Sequence, residues 1–403
     1  MTAWARAIDT GWLVRDEVPG PGVDEFAEPA EVTEALAAVP AGQDTLLAVQ
    51  HPHRTPAARA AGLSLAAALP AARETLDRLC AKDYRRVDRV VAAYRAAGPD
   101  GVAEGVLCVV EPAAVDPDGT LRVRPGEQVY PEVVAERAAV LAGLGCATSA
   151  AMLVPVHEGA RLTEAVRMVI GAAGEPSAAA VDPGGNEHLL WLLGPGGAQD
   201  RLLAEVRRGP LLVADGNHRV AAAERAGGGL VALVTAGPDL HIGAIHRALA
   251  GTGLGTAELA AAWRGCGLTV TETADPVGPE TPGTVVVRPI ARPADPGLVV
   301  RLPDGHGPRP RIDHELVEHV LLAEALGLDP AGEHVRALPE GHPAERDVDV
   351  LLRLAPVPYA DVLAVHEQGR RMPRKATYFT PKPRSGLLLA DLGDNAASAE
   401  LRR

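Results

Sequence analysis

Five consecutive residues, Asp215-Gly216-Asn217-His218-Arg219, bring together a carboxylate, a glycine, an amide, an imidazole and a guanidinium. The apolar run Pro210–Ala214 precedes them, and the Ala-rich stretch His218–Ala226 follows, closed by Gly227-Gly228-Gly229. This order predicts a buried strand, a tight turn and the first turn of a helix. A carboxylate at a strand end can hold Mg²⁺ or cap the helix. Unpaired N–H groups at the helix start favour phosphate, and Arg219 adds a forked donor for its oxygens. Gly216, Asn217, His218 and Arg219 are therefore candidate nucleotide or phosphate contacts, with Asp215 and His218 as candidate catalytic groups and Asp215 as the candidate metal ligand. The alternative reading has Asp215 as a cap and His218 as an ordinary surface residue.

A second candidate is Glu127, in Arg124-Pro125-Gly126-Glu127-Gln128. It sits between a predicted strand and a predicted helix, where a loop can aim a carboxylate into a cleft as a general base. The segment Met372–Pro383 is basic in an otherwise acidic chain, and Lys375 and Lys382 could reach a phosphate; otherwise it is a charged closing strand. His51 and His53, in His51-Pro52-His53-Arg54, are weaker candidates for substrate contact. His188 and Trp191 alternate poorly for a solvent face and read as core, with His188 also a candidate for the substrate site.

Positioning these groups requires alternating strands and helices. Strands are predicted at Thr45–Gln50, Gly105–Val110, Leu121–Val123, Ala151–Val156, Ser177–Val181, His188–Leu193, Pro210–Ala214 and Leu230–Thr235. Helices are predicted within 56–98, including Arg73–Leu79 and Tyr84–Ala97, and at 132–144, 163–172, 201–208, 218–226 and 312–326. Pro131 suits the first position of the helix that follows it. Gly98-Pro99-Asp100-Gly101 reads as a turn. Residues 275–310, rich in Pro and Gly, read as an irregular lobe or linker around a strand at Gly283–Arg288.

At 403 residues the chain exceeds one ordinary core, so two or three lobes are expected. Hydrophobic residues make up 47% and aromatics only 3%, so Leu, Val and Ala must fill the interior. The net charge of −13 opposes binding to a nucleic-acid backbone. Cys80, Cys108, Cys146 and Cys266 are widely spaced and indicate neither a zinc site nor a disulfide framework. Without a signal-like start or an apolar run of membrane-spanning length, a cytoplasmic location is expected.

Three segments carry a resemblance. Leu211–Arg219 with Val220-Ala221-Ala222-Ala223, Asn186–Trp191, and Met372–Gly386 resemble a large family of bacterial and archaeal proteins known as domain of unknown function 1015. Its members carry Ala-Asp-Gly-His-His-Arg, an upstream Glu/Gln-His-x-x-Trp, and a C-terminal Met-Pro-x-Lys-Ser-Thr-x-Phe-x-Pro-Lys. The centre also resembles the ParB/sulfiredoxin superfamily, and within it the free L-serine kinases, which phosphorylate the serine hydroxyl with a nucleotide and Mg²⁺. The resemblance implies an α/β (α+β) fold with a ParB/sulfiredoxin-like core over 119–250, an insertion at 157–209, an N-terminal lobe over 1–118 and a C-terminal lobe over 251–403.

By the same resemblance Glu127 matches the catalytic glutamate, and Asp215, His218 and Arg219 match the phosphate turn. Two positions depart from the pattern: Gly126 replaces a histidine, and Asn217 replaces the first histidine of the pair. Asn can hydrogen-bond but cannot carry a proton. The implied activity is a kinase using ATP or ADP and Mg²⁺ on a small hydroxylated metabolite, with a homodimer compatible and neither nucleic acid nor membrane as partner. Rival readings are a ParB-like nucleotide switch and a non-catalytic binding protein. A sulfiredoxin-like role would need a cysteine in the phosphate turn, where there is none.

Overall fold

The computed structural model describes residues 3–22, 26, 29–40, 42–236, 240–303, 310, 312–341 and 348–393. The chain divides into two compact units, Met1–His241 with Phe379–Arg403, and Ile242–Tyr378. Strands and helices alternate in both, so the protein is of the expected α/β class. Among the described residues no helix is long and apolar enough to cross a membrane.

The first unit is built on one large mixed sheet. Its strands run in the order 123–124, 211–215, 151–155, 230–236, 101–110, 84–98, 8–14, 388–391 and 146–147. Strand Leu211–Asp215 is parallel to Val123–Arg124 and antiparallel to Ala151–Pro155. Each of the two parallel strands is followed by a helix, Pro131–Leu144 and Asn217–Ala226. The two helices pack on one another through Val134, Ala138 and Ala222. Gly145 and Gly227, both left-handed, end them.

Two expected elements are corrected. Tyr84–Gly98 is a strand, not a helix. Its buried residues Tyr84, Val87 and Val90 recur every three positions, a helix-like spacing, and Arg89 among them has φ +55°. The neighbouring strand pairs Thr10 with Asp88 and Ile8 with Val90 around that irregularity. Leu46–Gln50 is a short helix, not a strand, because the Thr45 side chain accepts from the Ala48 N–H and caps it. By contrast, Gly98 and Gly101 pair across the expected turn and close a hairpin.

The second unit carries a six-stranded antiparallel sheet in the order 269–273, 297–301, 284–289, 348–353, 245–250 and 335–339. Leu259 and Trp263 of helix Thr256–Gly265 pack with Val285, Val287, Val300 and Leu352. The strand expected at Gly283–Arg288 is present at 284–289, and the region around it, read as an irregular lobe, adds strand 297–301 to an ordered sheet. The helix expected over 312–326 is α-helical at Asp313–Leu316 and π-helical at Val317–Glu324.

Candidate active site

Arg124 pairs with Leu212, and the loop that continues from it passes Val213, so this loop runs beside the carboxyl end of strand 211–215, the position at which α/β sheets present functional groups. One strand runs into the loop holding Glu127 and the other ends on Asp215. Gly126 has no alternative at its position: a Cβ there would lie 2.3 Å from the Val213 carbonyl oxygen. This close approach accounts for glycine where the resembling family has histidine. Gly216 has φ +88°, and a Cβ on it would lie 2.7 Å from Arg219 Nε.

Asn217 is 9% exposed, and its Oδ1 accepts from the Gly126 N–H at 2.9 Å and the Glu127 N–H at 3.1 Å. His218 makes the parallel connection one residue later. Its Nε2 accepts from the Tyr130 N–H at 3.0 Å, and its ring stacks on Tyr130 at 5.9 Å and 8°. An Nε2 that accepts is unprotonated, so the ring proton of the neutral tautomer sits on Nδ1. Together these bonds tie the start of helix 217–226 to the loop that leads into helix 131–144. Two helix N-termini, each with a partial positive charge, are drawn together.

Asp215 is one-fifth exposed and faces two cations. Arg219 Nη2 lies 2.5 Å from Oδ2, and Lys382 Nζ lies 2.8 Å from Oδ1. Of the 39 Lys and Arg residues in the chain, only Lys82, Lys375 and Lys382 are lysines. Lysine is thus rare in this arginine-rich chain, and two of the three lie in the basic segment that the sequence singled out.

The structure therefore brings Glu127, Asp215, Gly216, Asn217, His218, Arg219 and Lys382 into one neighbourhood of the first unit. Four further candidates have their own settings. Lys375 belongs to the second unit, where its carbonyl accepts from the buried Arg247 at 3.1 Å. His51 and His53 lie on a single turn after the helix 46–50; His51 Nε2 and His53 Nδ1 are buried without a hydrogen-bond partner. Burial, and then Arg137 and Arg54, push the His51 pKa down to about 3. His188 is 1% exposed with both ring nitrogens engaged, by Tyr94 and by Asp182, so it is enclosed where a substrate contact was expected. Among the described residues no group of three or more His, Cys, Asp or Glu side chains is arranged to hold a metal ion. Asp215 is one carboxylate whose two oxygens already face cations, a donor set that does not fit a Mg²⁺ held by the protein itself.

A family described as a protein of unknown function, DUF1015, matches residues 42–266, more than half of the chain. The chain belongs to the DUF1015 family. The match spans Glu127 and the whole of the 215–219 turn, and Lys382 lies outside it. No curated protein matches this DUF1015 chain. Among solved structures it is similar to a free serine kinase in complex with AMP, at 13% identity and a TM-score of 0.39 over 70% of this chain and 92% of that one. It is also similar to SbnI with a C-terminal truncation from Staphylococcus aureus, at 14% identity and a TM-score of 0.41 over 74% and 89%. A conserved hypothetical protein from Pyrococcus furiosus is similar at 12% identity and a TM-score of 0.38 over 70% and 95%.

Proposed function

We propose that this DUF1015 protein is a phosphotransferase that moves a phosphoryl group from a nucleoside di- or triphosphate, ATP or ADP, to the hydroxyl of a small metabolite such as free L-serine or a similar hydroxy-amino acid. The observation that carries the reading is the pairing of Arg219 and Lys382 on Asp215, beside the loop of Glu127 at the ends of two parallel strands. The acceptor class follows from the resemblance of the motifs to free L-serine kinases.

In this mechanism the phosphate oxygens lie against Arg219, Lys382 and the N–H groups opening helix 217–226, where fixed positive charge opposes the charge of the transferring group. Asp215 orients both cations. Asn217 and His218 fix the neighbouring loop, so that Glu127 can take the proton of the acceptor hydroxyl. The hydroxyl oxygen bonds to phosphorus as the bond to the nucleotide leaving oxygen breaks.

The test is nucleotide binding. Arg219→Ala should weaken ADP or ATP binding by at least about tenfold, the loss expected for one charged phosphate contact. Equal binding by wild type and variant contradicts the assignment of the turn.

A further inference from the structure

Lys382 sits on a tail segment whose two flanks are held by one distant hairpin. On the far side, Arg384 N–H donates to the Tyr94 hydroxyl at 2.9 Å, and that hydroxyl lies 2.7 Å from His188 Nδ1. His188 Nε2 lies 3.0 Å from Asp182 Oδ2. On the near side, the Thr380 hydroxyl donates to the Asp100 carbonyl at 3.0 Å. Asp100 is held in turn by Asn186: its N–H donates to Asn186 Oδ1 at 3.2 Å, and its carboxylate accepts from Asn186 Nδ2 at 2.8 Å. Asn186 also donates to Asp182, through its N–H and Nδ2, each at 2.9 Å. Both chains of contact end on the turn that leads into strand Glu187–Leu193.

The polarity of the longer chain is fixed by its end. Burial works to raise the Asp182 pKa, but hydrogen bonds from Asn186 and His188 outweigh it, so the carboxyl stays ionised and accepts. His188 Nε2 therefore carries the proton. Burial, opposed by Asp182, lowers the His188 pKa, so the ring is neutral and Nδ1 accepts the tyrosine proton. The Tyr94 oxygen is then the acceptor that the Arg384 N–H requires. A buried imidazole supplies the needed combination, one acceptor and one donor at opposite edges of a rigid ring.

We infer that Asp182, Asn186 and His188 form a clamp that positions Lys382 against Asp215, with His188 a positioning residue that acts through Tyr94 and the tail. The clamp explains how a lysine 167 positions beyond Asp215 in the chain, on a flexible four-carbon stem, is delivered 2.8 Å from its carboxylate. Its value to phosphate binding rests on the function proposed above; the geometry of the clamp does not.

The experiment follows lysine reactivity without any nucleotide, so its failure is distinguishable from failure of the phosphotransferase reading. The full chain is treated with a limiting amount of acetic anhydride, and acetylation is read by peptide mass spectrometry as the ratio of Lys382 to Lys82. Lys82 serves as internal reference because its side chain is 84% exposed. His188→Ala and Tyr94→Phe should each raise the ratio about fivefold, the factor that one net hydrogen bond represents. Asp215→Ala, which removes the partner directly, sets the upper value, and the His188→Ala/Asp215→Ala double variant should rise no further. Val166→Ala, a truncation of a fully buried side chain in the same unit, should leave the ratio unchanged. If His188→Ala does not fold, Tyr94→Phe, which keeps the ring, carries the test. A ratio unchanged in Tyr94→Phe, or raised equally by Val166→Ala, overturns the clamp.

Discussion

Asn217→Ala separates a loop clamp from a phosphate contact. The amide oxygen accepts from two backbone N–H groups, one of them on the buried Gly126. Leaving a buried N–H unsatisfied costs about 1–3 kcal/mol, and the partly exposed N–H of Glu127, which water can reach, loses about 0.5–1.5 kcal/mol. The loop should therefore open more easily by about 1.5–4.5 kcal/mol, a factor of roughly 10 to 2 × 10³ in its opening equilibrium. Hydrogen exchange, read on a peptide spanning residues 123–131, should accelerate at Gly126 and Glu127 by about that factor in the local-opening regime. Turnover should fall with it, because Glu127 is no longer held. Asn217→Asp keeps an acceptor oxygen and should keep the protection, while its negative charge should weaken nucleotide binding. Wild-type protection in Asn217→Ala would refute the clamp and return Asn217 to the phosphate.

Two further predictions concern packing and pH. Gly126→Ala should lower the melting temperature, since its Cβ would meet the Val213 carbonyl at 2.3 Å and the resulting backbone shift costs about 1–3 kcal/mol; an unchanged melting temperature would show that the loop yields freely. In the second unit, burial, and then Arg353, push the His246 pKa down to about 4. The folded chain refuses a proton that the unfolded chain takes, so stability present above pH 6.5 is lost as pH falls from about 6.5 to about 4, by roughly 3 kcal/mol from this group. His246→Asn keeps an acceptor for the Leu354 N–H and should flatten the fall in denaturant stability over that window; parallel curves would contradict it.

Legibility in the sequence followed the range of the physical signal. Strand 211–215, its turn and helix 217–226 were readable because their cues lie within twenty residues: an apolar run, Gly216, and the closing glycines. Helix 131–144 was readable from Pro131 and Gly145. Strand 84–98 was not, because its buried residues Tyr84, Val87 and Val90 recur every three positions, as on a helix. In the second unit strand 284–289 was readable from its run of valines, but strand 297–301 and the sheet they join escaped, because these strands are short and set among Pro and Gly. At the candidate site, Asp215 and Arg219 could be paired because they flank one tight strand-to-helix turn. The work of Asn217 could not be read, since its partners lie 90 and 91 positions away. His188 was ambiguous between core and ligand until Tyr94 and Asp182 were seen on its two nitrogens.

The central claim is phosphoryl transfer to a small hydroxyl with Glu127 as base. The most direct test incubates the full chain with ATP or ADP, with and without Mg²⁺, and a panel of hydroxy-amino acids led by L-serine, and looks by mass spectrometry for a phosphorylated acceptor. The account predicts such a product from the wild type, and a rate lower by about 10²–10⁴ from Glu127→Gln with nucleotide affinity kept within a few-fold. Nucleotide binding with no phosphorylated acceptor across the panel, or a Glu127→Gln variant that turns over at the wild-type rate, would contradict it.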